Sequence, residues 1–180
     1  KQLNQQLERL SFLDGLTGLP NRRCFNDTQH QEWRRAIREN TFISLLIIDI
    51  DCFKQLNDTF GHQVGDIVLI NAAELFKKSI REQDTIGRWG GEEFLVICPQ
   101  TTLNEALQLA EELRLQLENY QFPIVNQKTS SFGVTTYVQG DTLTTLLTRC
   151  DQALYQAKNK GRNCVAYLNK EDATSLLFSN

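Results

Sequence analysis

An α+β fold on a βαββαβ core is what this sequence predicts, and three observations carry the prediction. The stretch FISLLIIDID, from Phe42, is a continuous apolar run of strand length, as expected of a strand buried on both faces. RWGGEEFLVIC, from Arg88, has the form of a hairpin whose paired glycines suit a tight turn and whose second strand is buried. Around these two, amphipathic segments of helical period alternate with further short strand patterns.

In chain order, DGLTGLPNRRCF carries the Gly/Pro punctuation of a turn, with Pro20 and Asn21 opening a polar helix that runs through Trp33 to Arg38. The strand from Phe42 leads into an irregular segment that reaches Gly65 and Asp66. A helix then follows, spaced by Ile67, Ile70, Ala73, Leu75 and Phe76. After the hairpin, LNEALQLAEELRLQLEN is an amphipathic helix and SSFGVTTYV a strand. LTTLLTRCDQALYQAKNKG is a helix stopped at Gly161, and NCVAYL a last short strand. From Phe42 the order is βαββαβ with one more helix and strand, a ferredoxin-like sheet with helices on one face. Residues 14–170 are expected to form one domain, and 171–180 a frayed tail.

Ahead of it, KQLNQQLERLSFL spaces Leu3, Leu7 and Leu10 at heptad-like intervals. The chain has no methionine and opens inside a helical pattern. Residues 1–13 are therefore expected to be the end of a coiled-coil helix from an upstream signalling domain, although a single helix packed on its own domain has the same pattern.

Composition excludes several function classes. The net charge of −3 gives no general attraction to nucleic acid or anionic lipid, so any phosphate binding must be focused in a site. No apolar run approaches a membrane span, and the domain is expected in the cytoplasm, with membrane attachment of a longer protein left open. The five cysteines are scattered singly without a CxxC, which suits neither a disulfide framework nor a zinc cage. Two histidines, His30 and His62, leave little for a His-rich metal site or a Ser-His-Asp arrangement.

The chemistry concentrates in two acidic clusters. In DIDCFKQLNDTFGHQVGD, strand alternation sets Asp49 and Asp51 on one side, and an acid directly after SLLII is costly to bury without a cation or donors. Asp51 also suits a cap of the next helical turn. The second cluster is Glu92-Glu93. A solvated hairpin tip is one reading of it. The other is a carboxylate from each strand plus a backbone carbonyl, an oxygen set that suits Mg²⁺. Successive strand residues point to opposite faces, and Glu92, closest to the turn, is taken as the one aimed at Asp49. That leaves Glu93 on the far face without a derived role.

Lys54 follows the Asp49 strand, and Lys158 and Arg162 stand four apart across a helix end. Basic residues there also suit the helix macrodipole, but beside a metal site they become triphosphate clamps. Asn57 and Asp66 combine an amide with a carboxylate acceptor, as the donating edge of guanine requires; they equally suit a turn and an N-cap. His62 alone suits a packing or turn position.

Taken together these motifs resemble the GGDEF domain of the diguanylate cyclase family, with GGEEF as the signature variant. The resemblance runs from DGLTGLPNRR at Asp14 through DIDCFKQLNDTFGHQVGD, RWGGEEF and SFGVT to DQALYQAKNKGRN at Asn163. It implies a fold like that of nucleotidyl cyclases and polymerase palms, and condensation of two GTP molecules into cyclic di-GMP with release of two pyrophosphates. By the same resemblance Asp49, Glu92 and the main-chain carbonyl of Ile50 hold Mg²⁺, with Mn²⁺ as a substitute and two ions per site. Glu92 is the implied base and Glu93 essential to the signature. Asn57 and Asp66 are implied to read guanine with His62 near the nucleotide. Lys54, Lys158, Arg162 and the amides near Cys52 and Phe53 hold phosphates. REQD places Arg81 and Asp84 at the family's product-inhibition site for cyclic di-GMP. One guanine-reading set per chain against two guanines in the product suggests a two-fold homodimer under an upstream sensory domain. The rival readings are a domain that only binds GTP or cyclic di-GMP, and another palm-like cyclase.

Overall fold

The computed structural model describes residues 12–171. Almost all of the expected coiled-coil end, and the tail from residue 172, lie outside the described residues. The elements are α1 (Arg22–Glu39), β1 (Ile43–Ile50), α2 (Phe53–Phe60), α3 (His62–Ser79), β2 (Thr85–Arg88), β3 (Glu93–Pro99), α4 (Leu103–Asn119), β4 (Ser130–Thr136), α5 (Leu143–Asn159) and β5 (Val165–Tyr167). The five-stranded sheet has the order β2-β3-β1-β4-β5, antiparallel except for the parallel β4–β5 edge. Its first four strands are the predicted βαββαβ core.

β1 is central because it has apolar groups for both faces, and all eight of its residues are buried. Leu46, Ile48 and Ile50 join one core with Phe94, Val96 and Phe132 under α2, α3 and α4. Ile43, Leu45 and Ile47 join a second core with Leu95 and Ile97, covered by Phe25 and Trp33 of α1 and by Leu146, Cys150 and Leu154 of α5. Helices thus cover both faces, where the sequence reading put them on one. The reason is the same uninterrupted apolar run: a strand apolar on both sides needs a layer on each.

Close approach depends on two glycines. A Cβ on Gly133 of β4 would fall on the Cys150 carbonyl and lie 2.5 Å from the Leu154 amide of α5. One on Gly87 of β2 would lie 2.6 Å from the Phe25 ring. The segment expected to be irregular before Gly65 is instead mostly helix. Gly61, at φ 86° and ψ 160°, divides it into α2 and the first turn of α3. α5 ends at Asn159, two residues before the expected stop, with Lys160 as its cap.

Candidate active site

At one end of the β1–β3 pairing the register sets Asp49 directly opposite Glu93. Opposed residues of an antiparallel pair share a face, so Glu93 lies on the Asp49 side, not on the far side as alternation from the turn suggested. The difference arises because Gly90 to Glu92 belong to the turn. The strand starts at Glu93, whose carbonyl accepts the Trp89 and Gly90 amides at 2.9 and 3.3 Å. Glu92 sits in that turn, and its own carbonyl accepts the Ile50 amide at 3.3 Å, which brings the end of β1 beside it.

Asp49 is only 6% exposed. Lys158, from the last turn of α5, places its Nζ 2.9 Å from Asp49 Oδ2. Burial still pushes the Asp49 carboxyl above its ordinary range; Lys158 pulls it back, and the charges of Glu92 and Asp51 add to the rise. Burial, then Asp49 across the ladder, raise Glu93 as well. Asp151 of α5 is raised by burial and lowered by Lys158. The result is a partly buried acidic cluster whose carboxyls are raised chiefly by burial.

Asp51 does not cap α2. The N-cap is Cys52, in the left-handed region at φ 56° and without a side-chain cap. Asp51, 5% exposed, instead accepts the hydroxyls of Ser131 and Thr129 at 2.6 and 2.7 Å and the Asn163 amide at 3.0 Å. The turn it anchors exposes Cys52 and Lys54 and buries Phe53, and the first amides of α2 face out of its N-terminus. Arg162 is exposed in the turn after α5.

Asn57 of α2 is half-buried, and its Oδ1 is buried without a hydrogen-bond partner. A Cβ on Gly65 of α3 would fall on that oxygen. Gly65 therefore seats Asn57 against α3, next to the exposed Asp66, with His62 exposed at the start of the same helix. Nothing in the sequence alone marks Gly65 for this role. The structure thus brings together Asp49, Glu92, Glu93 and Lys158, and separately Asn57 and Asp66. Arg81 and Asp84 lie beyond the far end of α3, whose 18 residues span about 27 Å. There Arg81 binds Asp84 through Nε and Nη2 at 3.1 and 2.9 Å and also meets Thr101, beside a cavity of about 500 Å³ lined in part by Lys77, Ile80 and Pro20.

Two further groups, Asp14 and Arg88, also escaped the sequence reading. Arg88 donates from Nη1 to both Asp14 oxygens at 3.1 and 3.2 Å, and from Nη2 to the Gly91 carbonyl at 2.9 Å. It ties the Gly-Gly turn to the segment before α1. Burial raises the Asp14 carboxyl, but Thr17 and Arg88 outweigh it and leave it below its usual value. Both residues stand inside motifs that were legible, DGLTGLP and RWGGEEF.

A family profile described as "Diguanylate cyclase, GGDEF domain" matches residues 11–164. This chain belongs to the GGDEF domain family. Among curated proteins, the diguanylate cyclase DgcM of Escherichia coli (strain K12) is 39% identical over 165 residues, spanning 92% of this chain and 40% of that protein. The response regulator PleD of Caulobacter vibrioides is 43% identical over 169 residues, spanning 91% of this chain and 37% of its own length. The chain thus spans less than half the length of either relative. Among solved structures, the GGDEF domain of DgcB from Caulobacter crescentus, in complex with c-di-GMP, superimposes with a TM-score of 0.81 at 33% identity, covering 87% of this chain and 92% of that one. As a GGDEF domain the chain has the expected α+β fold, and no described helix is long and apolar enough to cross a membrane.

Among the described residues no three or more His, Cys, Asp or Glu side chains form a ready cage for an ion. Asp49 on β1, Glu92 in the turn and Glu93 on β3 bring carboxylate oxygens to one end of the two strands. Such a set suits a hard divalent ion that completes its shell with phosphate and water.

Proposed function

We propose that this GGDEF domain is a diguanylate cyclase, condensing two GTP into cyclic di-GMP and two pyrophosphates. The observation that carries the reading is the facing pair Asp49 and Glu93, with Glu92 in the adjoining turn and Lys158 on Asp49, beside the exposed N-terminus of α2. In each half-reaction a 3′-hydroxyl oxygen attacks the α-phosphorus of the other GTP. The bond to the β-phosphate oxygen breaks, and pyrophosphate leaves with its electron pair.

Asp49, Glu92 and the Ile50 carbonyl would hold Mg²⁺ or Mn²⁺, two ions per site, which when bound neutralise charge at the reacting phosphate. Glu92 takes the 3′-hydroxyl proton, and Glu93 supports the acidic pocket from the Asp49 face. Lys54, Lys158 and Arg162, with the Cys52 and Phe53 amides, orient the phosphates and meet the charge on the leaving group. Asn57 and Asp66 accept the guanine N–H groups, near His62. Two guanines in one product call for a homodimer in which each protomer presents one GTP. Arg81 and Asp84 bind the product as an inhibitory site. The catalytic unit is residues 14–170, joined through 1–13 to an upstream sensory domain that a cytoplasmic or membrane-anchored protein would carry.

The deciding experiment incubates the purified chain with Mg²⁺ and GTP and resolves nucleotides by chromatography. Cyclic di-GMP is expected, with specific activity rising with protein concentration, and Asp49→Ala or Glu92→Ala abolishes it. Binding of GTP with no dinucleotide at any protein concentration would replace this reading with a GTP-binding module.

A further inference from the structure

We infer that Asp51 and Asn163 are positioning residues that lock the two phosphate-gripping turns together, and that Asn163 sets GTP affinity by holding Arg162. The inference rests on the reading of Arg162 as a phosphate ligand. Arg162 and Asn163 lie consecutively in the left-handed region, at φ 65° and 46°. Residues with a Cβ rarely adopt it, and two in a row persist only where surrounding groups over-determine them. Ending the helix does not require them. α5 is already capped at Lys160, and Gly161 at φ 109° has already turned the chain.

Two clamps supply the constraint. The first is the Asn163 amide on Asp51 Oδ2, at 3.0 Å. That same carboxylate takes the Thr129 and Ser131 hydroxyls, so it is fixed to β4 and its surroundings before it meets the turn. It also immediately precedes Cys52, whose left-handed backbone opens α2. One buried carboxylate therefore ties the Cys52 turn to the Arg162 turn. The second clamp is the Asn163 side chain. Its Nδ2 donates to Glu118 Oε1 at 2.8 Å, and its Oδ1 accepts from Arg114 Nη1 at 2.7 Å. Arg114 in turn binds Glu118 and Glu111 at 2.8 and 2.6 Å, which pins the turn to α4, in the other helical layer.

Arg162 itself is held by its amide to the Ala157 carbonyl at 3.1 Å, one residue before Lys158, which sits on Asp49. With both clamps in place the two cations start from fixed backbone positions. Less freedom is then lost when phosphate binds, which is how preorganisation raises affinity.

The test measures binding of the α,β-methylene analogue of GTP with Mg²⁺ by titration calorimetry, and melting temperature in the same samples. The variants are Asn163→Gly, Arg162→Ala and the pair together. Glycine accepts the left-handed backbone without strain, so Asn163→Gly keeps the fold and removes only the side-chain clamp. Each single variant is expected to weaken binding about tenfold, the scale of one charge-assisted contact, and the pair no more than Arg162→Ala alone. Glu118→Gln, which keeps the acceptor for Asn163, retains affinity, whereas Glu118→Ala loses it. If Arg162→Ala weakens binding while Asn163→Gly does not, or if the two losses multiply in the pair, the clamp inference falls alone. If Arg162→Ala leaves binding unchanged, the phosphate reading of Arg162 falls and takes the inference with it.

Discussion

Asp49 and Glu93 face each other across two strands, and burial raises both carboxyls. A carboxyl raised on folding binds more protons in the folded than in the unfolded chain between its ordinary and its raised value, so ionising it at neutral pH costs stability. Glu93→Gln is therefore expected to raise the melting temperature at pH 7.5 without metal. The gain should fade as pH drops toward the ordinary Glu value of 4.5. A lower melting temperature at pH 7.5 would mean that the contacts of Glu93 outweigh its burial. Gly65 makes a complementary case, because it lies in helix α3, where alanine is favoured by about 1 kcal/mol. Its added Cβ would nevertheless displace Asn57 Oδ1. Gly65→Ala should then keep or raise the melting temperature while weakening GTP binding several-fold, on the scale of one disturbed hydrogen bond. Equal affinity in calorimetry would show that Asn57 has room to move.

α5 carries Lys158 to Asp49 only because Gly133 lets the helix lie against β4. Gly133→Val is expected to push α5 outward and cost about 1–3 kcal/mol, as overpacked cores do, measured as a shift in the denaturant midpoint. An unchanged midpoint would show that α5 can slide without loss. These elements differ in how far the sequence disclosed them. β1 was legible because ten apolar-rich residues admit little else, and α4 because LNEALQLAEELRLQLEN spaces its apolar residues at helical period. α2 was not, since in eight residues it buries only Phe53 and Leu56, too few to mark a helical period. The register of β3 was hidden for another reason. A shift of one residue exchanges the two faces, and nothing in GGEEF says whether Glu92 belongs to turn or strand. Asp49 could be singled out from residue type and spacing, whereas Asn57 and Lys158 gained a role only through the family resemblance. Asp51 could be named but not explained, because its partners Thr129, Ser131 and Asn163 come from 78 to 112 residues away.

Among the described residues, two sets of carboxylates have opposite pH dependence. Burial raises Asp141, but the hydrogen bonds of Arg149 and Val138 outweigh it and hold the carboxyl below its ordinary value; Asp14 behaves likewise through Thr17 and Arg88. A depressed carboxyl contributes stability that is present above its unfolded pKa, near 3.8, and is lost as pH falls through the folded value. Asp49, Glu93 and Asp151 are raised, so their cost is relieved as pH falls through those higher values. The metal-free chain is therefore expected to be most stable on the mildly acidic side of neutrality, with an acid limb set by the depressed group. Asp141→Asn tests that limb. The Asp141–Arg149 pair is almost fully buried at 2.8 Å, and breaking such a pair costs about 3–5 kcal/mol by stranding the arginine. The loss should be full at pH 7 and shrink only as pH falls below the ordinary Asp value of 3.8, where the wild-type carboxyl itself begins to take up a proton. Mg²⁺ tests the other limb. A cation that binds the raised carboxylates must first displace their protons, so its stabilisation should be larger at pH 7.5 than at pH 5 and should vanish in Asp49→Ala. Melting curves from pH 3 to 8, with and without Mg²⁺, read both limbs in one series. An equal Mg²⁺ effect at pH 5 and pH 7.5 would locate the ion away from Asp49 and Glu93.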